Sequence, residues 1–282
     1  IEFSKLNHNV TIYNNCNKKI KINNIDWINL NNINDNPHYD LAITNNDIRL
    51  FDKINATKKV AISHSIQRIE KFIRKGQLLA FLKHKPKIAL LSKYHKNNRN
   101  FLLRLYGSFN VNWGIDDIFL ESKLNENIIK NQSIFTSHSD RNLDLLVNIW
   151  KNHIYPQDNR KKLLITPVKD DFRKYNIFNR DFGNKSRLIA DISSSRLFLI
   201  PGHKAELYCI SAEEARELCV PIITLGIGCL KERVEHGKTG LIAKNQKQFA
   251  DYTIELFNND NMWHDFRKNL LSLRGSKKWK DI

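Results

Sequence analysis

The sequence predicts an α/β protein built as two domains with a ligand cleft between them. Three observations lead there. Short β-prone apolar runs alternate with longer amphipathic stretches throughout the 282 residues, the pattern of parallel sheets covered by helices on both faces. The segment Asn110-Val111-Asn112-Trp113-Gly114-Ile115-Asp116 ends a β-type run in a glycine turn and leads into the polar Glu121–Asn131, so the domains are read as 1–112 and 113–282. A hydrophobic content of 41% with 10% aromatic residues is enough to bury a core and excludes wholesale disorder. No apolar run approaches the ~18–20 residues of a membrane-spanning helix.

Taken in order, Val10–Tyr13, Leu41–Thr44, Lys58–Ile62 and Ile88–Leu91 are expected strands. Ile66–Leu82 is expected as one helix, with Ile66, Ile69, Phe72, Ile73 and Leu79 on its apolar side and Arg68, Lys71 and Lys75 largely off it. The asparagine-rich Asn14–Asn36 reads as an irregular surface excursion. Beyond Gly114 the expected strands are Ser133–Thr136, Leu163–Thr166, Leu197–Ile200, Val220–Thr224 and Leu241–Ala243. The expected helices are Asp140–His153, Ala212–Cys219, Phe249–Phe257 and Met262–Leu271.

The charge is +17, from 46 Lys+Arg against 29 Asp+Glu. Lysine shares AT-rich codons with the 35 asparagines, so part of the excess is codon bias, and its distribution says more than its size. Arg68, Lys71, Arg74, Lys75, Lys83, Lys85, Lys87, Lys93, Lys96, Arg99 and Arg104 face the single acid Glu70 between Ile66 and Gly107. A solvated face and a polyanionic partner both remain open: membrane headgroups, phosphorylated acceptors or nucleic acid. No RNA- or DNA-binding signature accompanies the charge, which speaks against nucleic acid. Cys16, Cys209, Cys219 and Cys229 form no CxxC pair and read as reduced thiols of a cytoplasmic protein, peripheral at the inner face of the membrane if the cations meet lipid.

One stretch carries chemistry. The strand Arg196–Ile200 runs into Pro201-Gly202-His203-Lys204-Ala205-Glu206-Leu207-Tyr208-Cys209, then into a helix and the strand Val220–Thr224. A helix beginning near Ile210 offers free N–H groups and a positive dipole end to a phosphate. In open α/β sheets such ligands lie beyond the carboxyl ends of strands. Glu206 on the loop and Glu214 on the helix can both face one cleft and accept hydrogen bonds from sugar hydroxyls. Gly226-Ile227-Gly228 follows the next strand, and Glu232-Arg233-Val234-Glu235-His236-Gly237-Lys238-Thr239-Gly240 reads as a turn into the last strand.

The stretch from Glu206 to Ala243 resembles the donor-binding half of the retaining glycosyltransferases of family 4, also called group 1, which have the GT-B fold. Glu206, Glu214-Ala215, Val220-Pro221-Ile222, Gly226, Gly228, Glu232, Val234, Gly237 and Gly240 fall in register with that family's signature. Trp113-Gly114-Ile115-Asp116 resembles its Asn-Gly-Ile-Asp element, and Thr136–Leu146 its strand–loop–helix with a basic residue ahead of Gly-x-x-x-Leu-Leu. The resemblance implies two Rossmann-like domains facing across a cleft, with acceptor-side residues in 1–112 and nucleotide-sugar-binding residues in 113–282. It implies sugar transfer from a nucleotide-sugar to a glycan or lipid-linked acceptor of the cell envelope, with retention, no metal and no cofactor. Other readings are a nucleotide-sugar epimerase of the same fold and a non-enzymatic nucleic-acid binder.

Roles follow residue by residue. Glu214 would hold the ribose and Glu206 the donor sugar. The amides around Tyr208, Cys209 and Ile210 would take sugar or phosphate oxygens. Arg141 stands where the family has a lysine that neutralises the diphosphate, and His203 and Lys204 add charge beside it. His138 occupies a place where many members have arginine, Tyr208-Cys209 replaces Phe-Gly, and Asn142 replaces a glycine. His64 stands where the family often places a histidine facing the sugar. Leu6–Tyr13 resembles the end of the family's first helix and its second strand, so the chain, which opens on Ile1, is expected to lack the first strand and its Gly-rich loop. The residues around Trp279 are expected to begin a return crossing to the first domain.

Overall fold

The computed structural model describes residues 2–33 and 38–276; the expectation for Trp279 lies outside them. By internal contacts the chain divides into two compact units, Ile1–Leu91 with His95–Asn112, and Ser92–Tyr94 with Trp113–Ile282. No helix among the described residues is long and apolar enough to cross a membrane.

The first unit opens with α1 (Glu2–Lys5) and β1 (Val10–Asn14) and has two sheets. The stretch expected to be irregular instead contains β2 (Ile20–Ile22) and β3 (Ile25–Asn29), with β3 parallel to β1 and antiparallel to β2. The cause is local. Asn23 and Asn24 both adopt left-handed backbone, at φ 53° and 58°, between the paired Ile22 and Ile25. Two left-handed residues make the tight hairpin turn whose twist matches the strands, and asparagine tolerates that conformation best after glycine.

The second sheet holds β4 (His38–Asn45), β5 (Asn55–Ile62), β6 (Lys87–Leu90) and β7 (Ser108–Asn110), all parallel and in sequence order. The helix expected over Ile66–Leu82 is two helices, α2 (Ile69–Arg74) and α3 (Leu78–His84). Gly76, at φ +62°, ends α2, with the Gly76 N–H donating to the Ile73 carbonyl and the Gln77 N–H to the Phe72 carbonyl. That pair of bonds is the glycine C-cap, which satisfies the last carbonyls and reverses the chain. The break also changes the buried side: Phe72, Ala80 and Phe81 enter the core, while Ile73 and Leu79 are exposed. Then come α4 (Lys93–Asn97) and a 3-10 turn, Phe101–Leu105.

The second unit begins with α5 (Asp117–Glu121) and is built on one six-stranded parallel sheet. Its strands are β8 (Ile129–Phe135), β9 (Lys162–Ile165), β10 (Ile177–Asn179), β11 (Ser195–Leu199), β12 (Ile222–Thr224) and β13 (Gly240–Ile242), in the order β10-β9-β8-β11-β12-β13. Helices α6 (Leu143–Ile149), α7 (Lys185–Ser194), α8 (Ile210–Glu217), α9 (Gln246–Asn258) and α10 (Asp260–Leu273) pack on it. The helix expected to run to His153 finishes as a π-helical turn, Trp150–Ile154. Ile134, Phe135, Leu197 to Ile200 and Ile223 are fully buried, as strands covered on both faces must be. From β8 the chain adds strands outward through β9 to β10, then returns to place β11 on the other side of β8. Between β8 and β11 the direction of winding reverses.

Candidate active site

That reversal locates the site. Where winding reverses, the loops leaving the two neighbouring strands turn to opposite sides and leave a crevice beyond their carboxyl ends. The loop after β8 carries His138 and Arg141, and the loop after β11 carries His203, Lys204 and Glu206. Residues 65 positions apart therefore meet: Arg141 Nε lies 3.7 Å from Glu206 Oε2, and Arg141 Nη1 lies 3.5 Å from His203 Nδ1. That ring nitrogen also accepts from the Ala205 N–H at 3.0 Å. Burial pushes the Glu206 carboxyl above its ordinary value, while Arg141, His203 and the Cys209 N–H pull it back.

Two left-handed residues aim the helices that leave these loops. Asn142 (φ 62°) precedes α6 and Cys209 (φ 63°) precedes α8. Asn142 and Cys209, which stand where the resembled family has glycine, thus fall where the backbone itself wants glycine. Asn142 is tied down by its amide, which donates to the Gly202 carbonyl, and Ser137 Oγ lies 2.6 Å from Ser211 Oγ, joining the two loops. Cys209 is buried, and burial pushes its thiol well above the ordinary range. It has no side-chain cap, and Ile210, the first residue of α8, is exposed.

Gly228 fixes the floor of the Glu206 loop. At φ +73°, any Cβ there would meet the His203 carbonyl oxygen at 2.4 Å and that of Glu206 at 2.8 Å. The close approach lets the Cys229 N–H donate to the Glu206 carbonyl at 3.0 Å.

Glu214 lies further along α8, beside different charges. Burial pushes its carboxyl up to about 7, with Lys185 lowering it and Asp116 raising it. Lys185 Nζ donates to the Asp116 carboxylate. Asp116 closes the Trp113-Gly114-Ile115-Asp116 element, whereas Lys185 was not singled out in the sequence, where a lysine at a helix start looks ordinary. Tyr208 is buried, its hydroxyl donating to the Trp113 carbonyl. His138 and Lys204 are exposed, with His138 Nδ1 3.4 Å from Asp140. His64 belongs to the first unit, two residues past β5, where its N–H donates to Asn46 Oδ1 and burial lowers the pKa of its ring.

Arg233 was also missed. Its Nε donates to the Tyr208 carbonyl at 2.7 Å, its Nη1 lies 3.0 Å from the buried Glu213, and its guanidinium sits 4.2 Å from the Tyr208 ring centre. An arginine in a polar turn gives no sign in sequence that it folds inward. Among the described residues no three His, Cys, Asp or Glu side chains converge as metal ligands.

Residues 174–271 match the family model of glycosyl transferases group 1. No curated protein sequence matches the chain significantly. Among solved structures, S. aureus TarM, in a complex with fondaparinux, α-GlcNAc-glycerol and UDP, superposes with a TM-score of 0.62 at 17% identity. The match covers 82% of this chain and 51% of TarM, so the chain spans about half that protein's length. WaaG, a glycosyltransferase involved in lipopolysaccharide biosynthesis, gives 0.64 at 13% identity over 98% of this chain and 89% of WaaG. Anabaena HepE with UDP and glucose gives 0.64 at 13%, covering 85% and 74%. The chain has the GT-B glycosyltransferase fold, and its second unit carries the stretch that matches the group 1 model.

Proposed function

We propose that this protein is a glycosyltransferase that moves a sugar from a nucleotide-sugar to a glycan or lipid-linked acceptor of the cell envelope, with retention of configuration. The observation that supports it most is the meeting of Arg141, His203 and Glu206 with the uncapped start of α8 at the reversal of the sheet. A departing nucleoside diphosphate needs fixed positive charge that does not have to reorganise as it leaves. Arg141 and the α8 amides would supply it, with His203, His138 and Lys204 beside them, so neither metal nor cofactor is required. Glu206 would accept from donor-sugar hydroxyls and Glu214 from the ribose. The turn at Tyr208, Cys209 and Ile210 would present backbone N–H groups to sugar or phosphate. His64, in the first unit, would face the transferred sugar. Peripheral contact with an anionic membrane surface at the cytoplasmic face belongs to the same proposal.

The neighbours solved with UDP name the first probe. Calorimetric titration with UDP should show binding that Glu214→Ala weakens by roughly 1–3 kcal/mol, the scale of a charged hydrogen bond. Unchanged affinity in a folded Glu214→Ala protein would remove the ribose role. Transfer from a nucleotide-sugar should persist in EDTA, and strict dependence on Mg²⁺ or Mn²⁺ would contradict the proposed charge stabilisation.

A further inference from the structure

Of the three glutamates in register with the signature, Glu206, Glu214 and Glu232, the donor reading leaves Glu232 without a task. It ends the 3-10 turn Gly228–Glu232, which follows β12. Lys231 precedes it in sequence, yet both its carboxylate oxygens accept from the main chain. Oε2 accepts from the Lys93 N–H at 2.9 Å and Oε1 from the Tyr94 N–H at 2.6 Å. A carboxylate that takes two successive N–H groups fixes their direction as well as their position, and such charge-assisted bonds are among the stronger ones.

Lys93 and Tyr94 lie with Ser92 in the second unit, and Tyr94 packs against that unit's core cluster. Its hydroxyl donates to the Lys204 carbonyl at 2.9 Å. Lys204 and Ala205, both exposed, are the central residues of a turn closed by the Glu206 N–H on the His203 carbonyl at 2.9 Å. Among the described residues, Tyr94 supplies the hydrogen bond that reaches the tip of this turn from outside it. Its base is held by the Cys229 N–H on the Glu206 carbonyl, and Cys229 opens the same 3-10 turn that Glu232 ends. One element therefore holds residues 203–206 at two points, directly through Cys229 and by way of Glu232 and Tyr94.

We infer that Glu232 and Tyr94 are positioning residues for the turn that carries His203 and Glu206. Glu232 fixes the main chain at Tyr94, and Tyr94 fixes the Lys204 carbonyl. The His203 ring and the Glu206 carboxyl are thereby held against Arg141. The inference deepens the proposed donor site and rests on that reading for its ligand, though not for its geometry. A β-phosphate, which Arg141 and His203 would meet, should feel the loss of this support. A ribose held by Glu214 on α8 should not.

Tyr94→Phe removes the hydroxyl and keeps the packed ring. Glu232→Gln keeps the size of the side chain but turns one accepting oxygen into a donor that faces an N–H. Glu235→Gln, on the same surface and paired with Lys238 at 3.6 Å, is the control. In hydrogen–deuterium exchange of the full chain without ligand, the Ala205 and Glu206 amides, both bonded to His203, are the probes. They should exchange about fivefold faster in Tyr94→Phe, the opening expected when one neutral hydrogen bond is lost. Glu232→Gln should exchange at least as fast, and the double variant no faster than Glu232→Gln alone, because both act through one bond. Glu235→Gln should match the parent. Titration with UDP and UMP, which differ by the β-phosphate, is the second readout. Both variants should bind UDP about fivefold more weakly and UMP as the parent does. A general loss of stability would not separate the two ligands. Unchanged exchange at residues 203–206 in both variants, or equal losses for UDP and UMP, would overturn the assignment. The exchange reading needs no nucleotide, so the positioning can hold where UDP binding fails, and UDP binding can stand where the positioning fails.

Discussion

Replacing Arg233 with methionine removes a buried guanidinium while keeping most of its aliphatic volume. At least three interactions go at once: the 2.7 Å bond to the Tyr208 carbonyl, the 3.0 Å pair with Glu213 and the stacking on the Tyr208 ring. A hydrogen bond from a charged donor contributes about 1.5–3 kcal/mol, and a desolvated cation–π contact up to about 2 kcal/mol. Stripping a buried carboxylate of its partner costs about 3–5 kcal/mol. Glu213, 2% exposed, keeps Arg216 at 2.9 Å, so only a fraction of that last cost applies. Because the three share one side chain they do not add in full, and about 4 kcal/mol is the expected loss.

For a unit of this size each kcal/mol lowers the melting temperature by about 2–4 °C, so Arg233→Met should melt roughly 8–16 °C lower. Arg233→Lys retains the charge beside Glu213 but lacks the planar fork that reaches the Tyr208 carbonyl as well, and should lose about half as much. Thermal unfolding followed by circular dichroism reads both. UDP titration below the transition then asks whether the turn before α8 has shifted. A melting temperature for Arg233→Met within about 2 °C of the parent would refute the reasoning, since three buried contacts cannot vanish at so little cost.

Gly228→Ala should weaken UDP binding more than it lowers the melting temperature, because the added methyl displaces the His203–Glu206 loop; parallel losses in both would point to general unfolding. Asn142→Ala should destabilise by about 1–3 kcal/mol in denaturant unfolding, combining the left-handed penalty with the lost bond to Gly202, and Asn142→Gly by less. The Glu214 carboxyl, raised from 4.5 to about 7, binds a proton in the folded state that the unfolded chain has already released. Its contribution to stability is therefore full below pH 4.5 and lost as the pH rises through 7, by at most about 3 kcal/mol. Glu214→Gln should grow more stable relative to the parent between pH 5 and 8, and a flat difference would mean the carboxyl titrates normally.

Much of the α/β pattern was legible because strands buried on both faces are near-continuous apolar runs, as at Leu197–Ile200 and Ile88–Leu90. What escaped were features set by single backbone angles or by short length. Gly76 divides a stretch whose periodicity alone reads as one helix, and its C-cap depends on a left-handed φ that spacing does not encode. Asn23-Asn24 carried a legible hairpin signal that the surrounding asparagines masked. β10, at three residues, is too short to show a period. α7 left one usable sign, Asn184, whose side chain accepts from the Arg187 N–H. At the site, Glu206, Glu214 and Arg141 were visible as motif positions, whereas Lys185 and Arg233 were not, because their significance lies in contacts made by folding.

The order of strands explains why the motif positions work as a set. Nothing in the spacing from Arg141 to Glu206 brings them together; adjacency of β8 and β11 does. Once those strands are neighbours, each loop must turn from a strand end into a helix within a few residues, and each does so through one left-handed residue, Asn142 or Cys209. For a residue other than glycine that conformation costs about 1–2 kcal/mol. Such strain persists only where the surroundings enforce it, and functional sites are where it gathers. Asn142 is enforced by its bond to the Gly202 carbonyl. Cys209 is enforced from both sides, by Arg233 on the preceding carbonyl and by Ser211 Oγ 3.6 Å from its sulfur. The strain is thus opposed by contacts outside the matched motif positions, and that is why Arg233, which holds the Tyr208 carbonyl, is the residue whose loss should most disturb the start of α8.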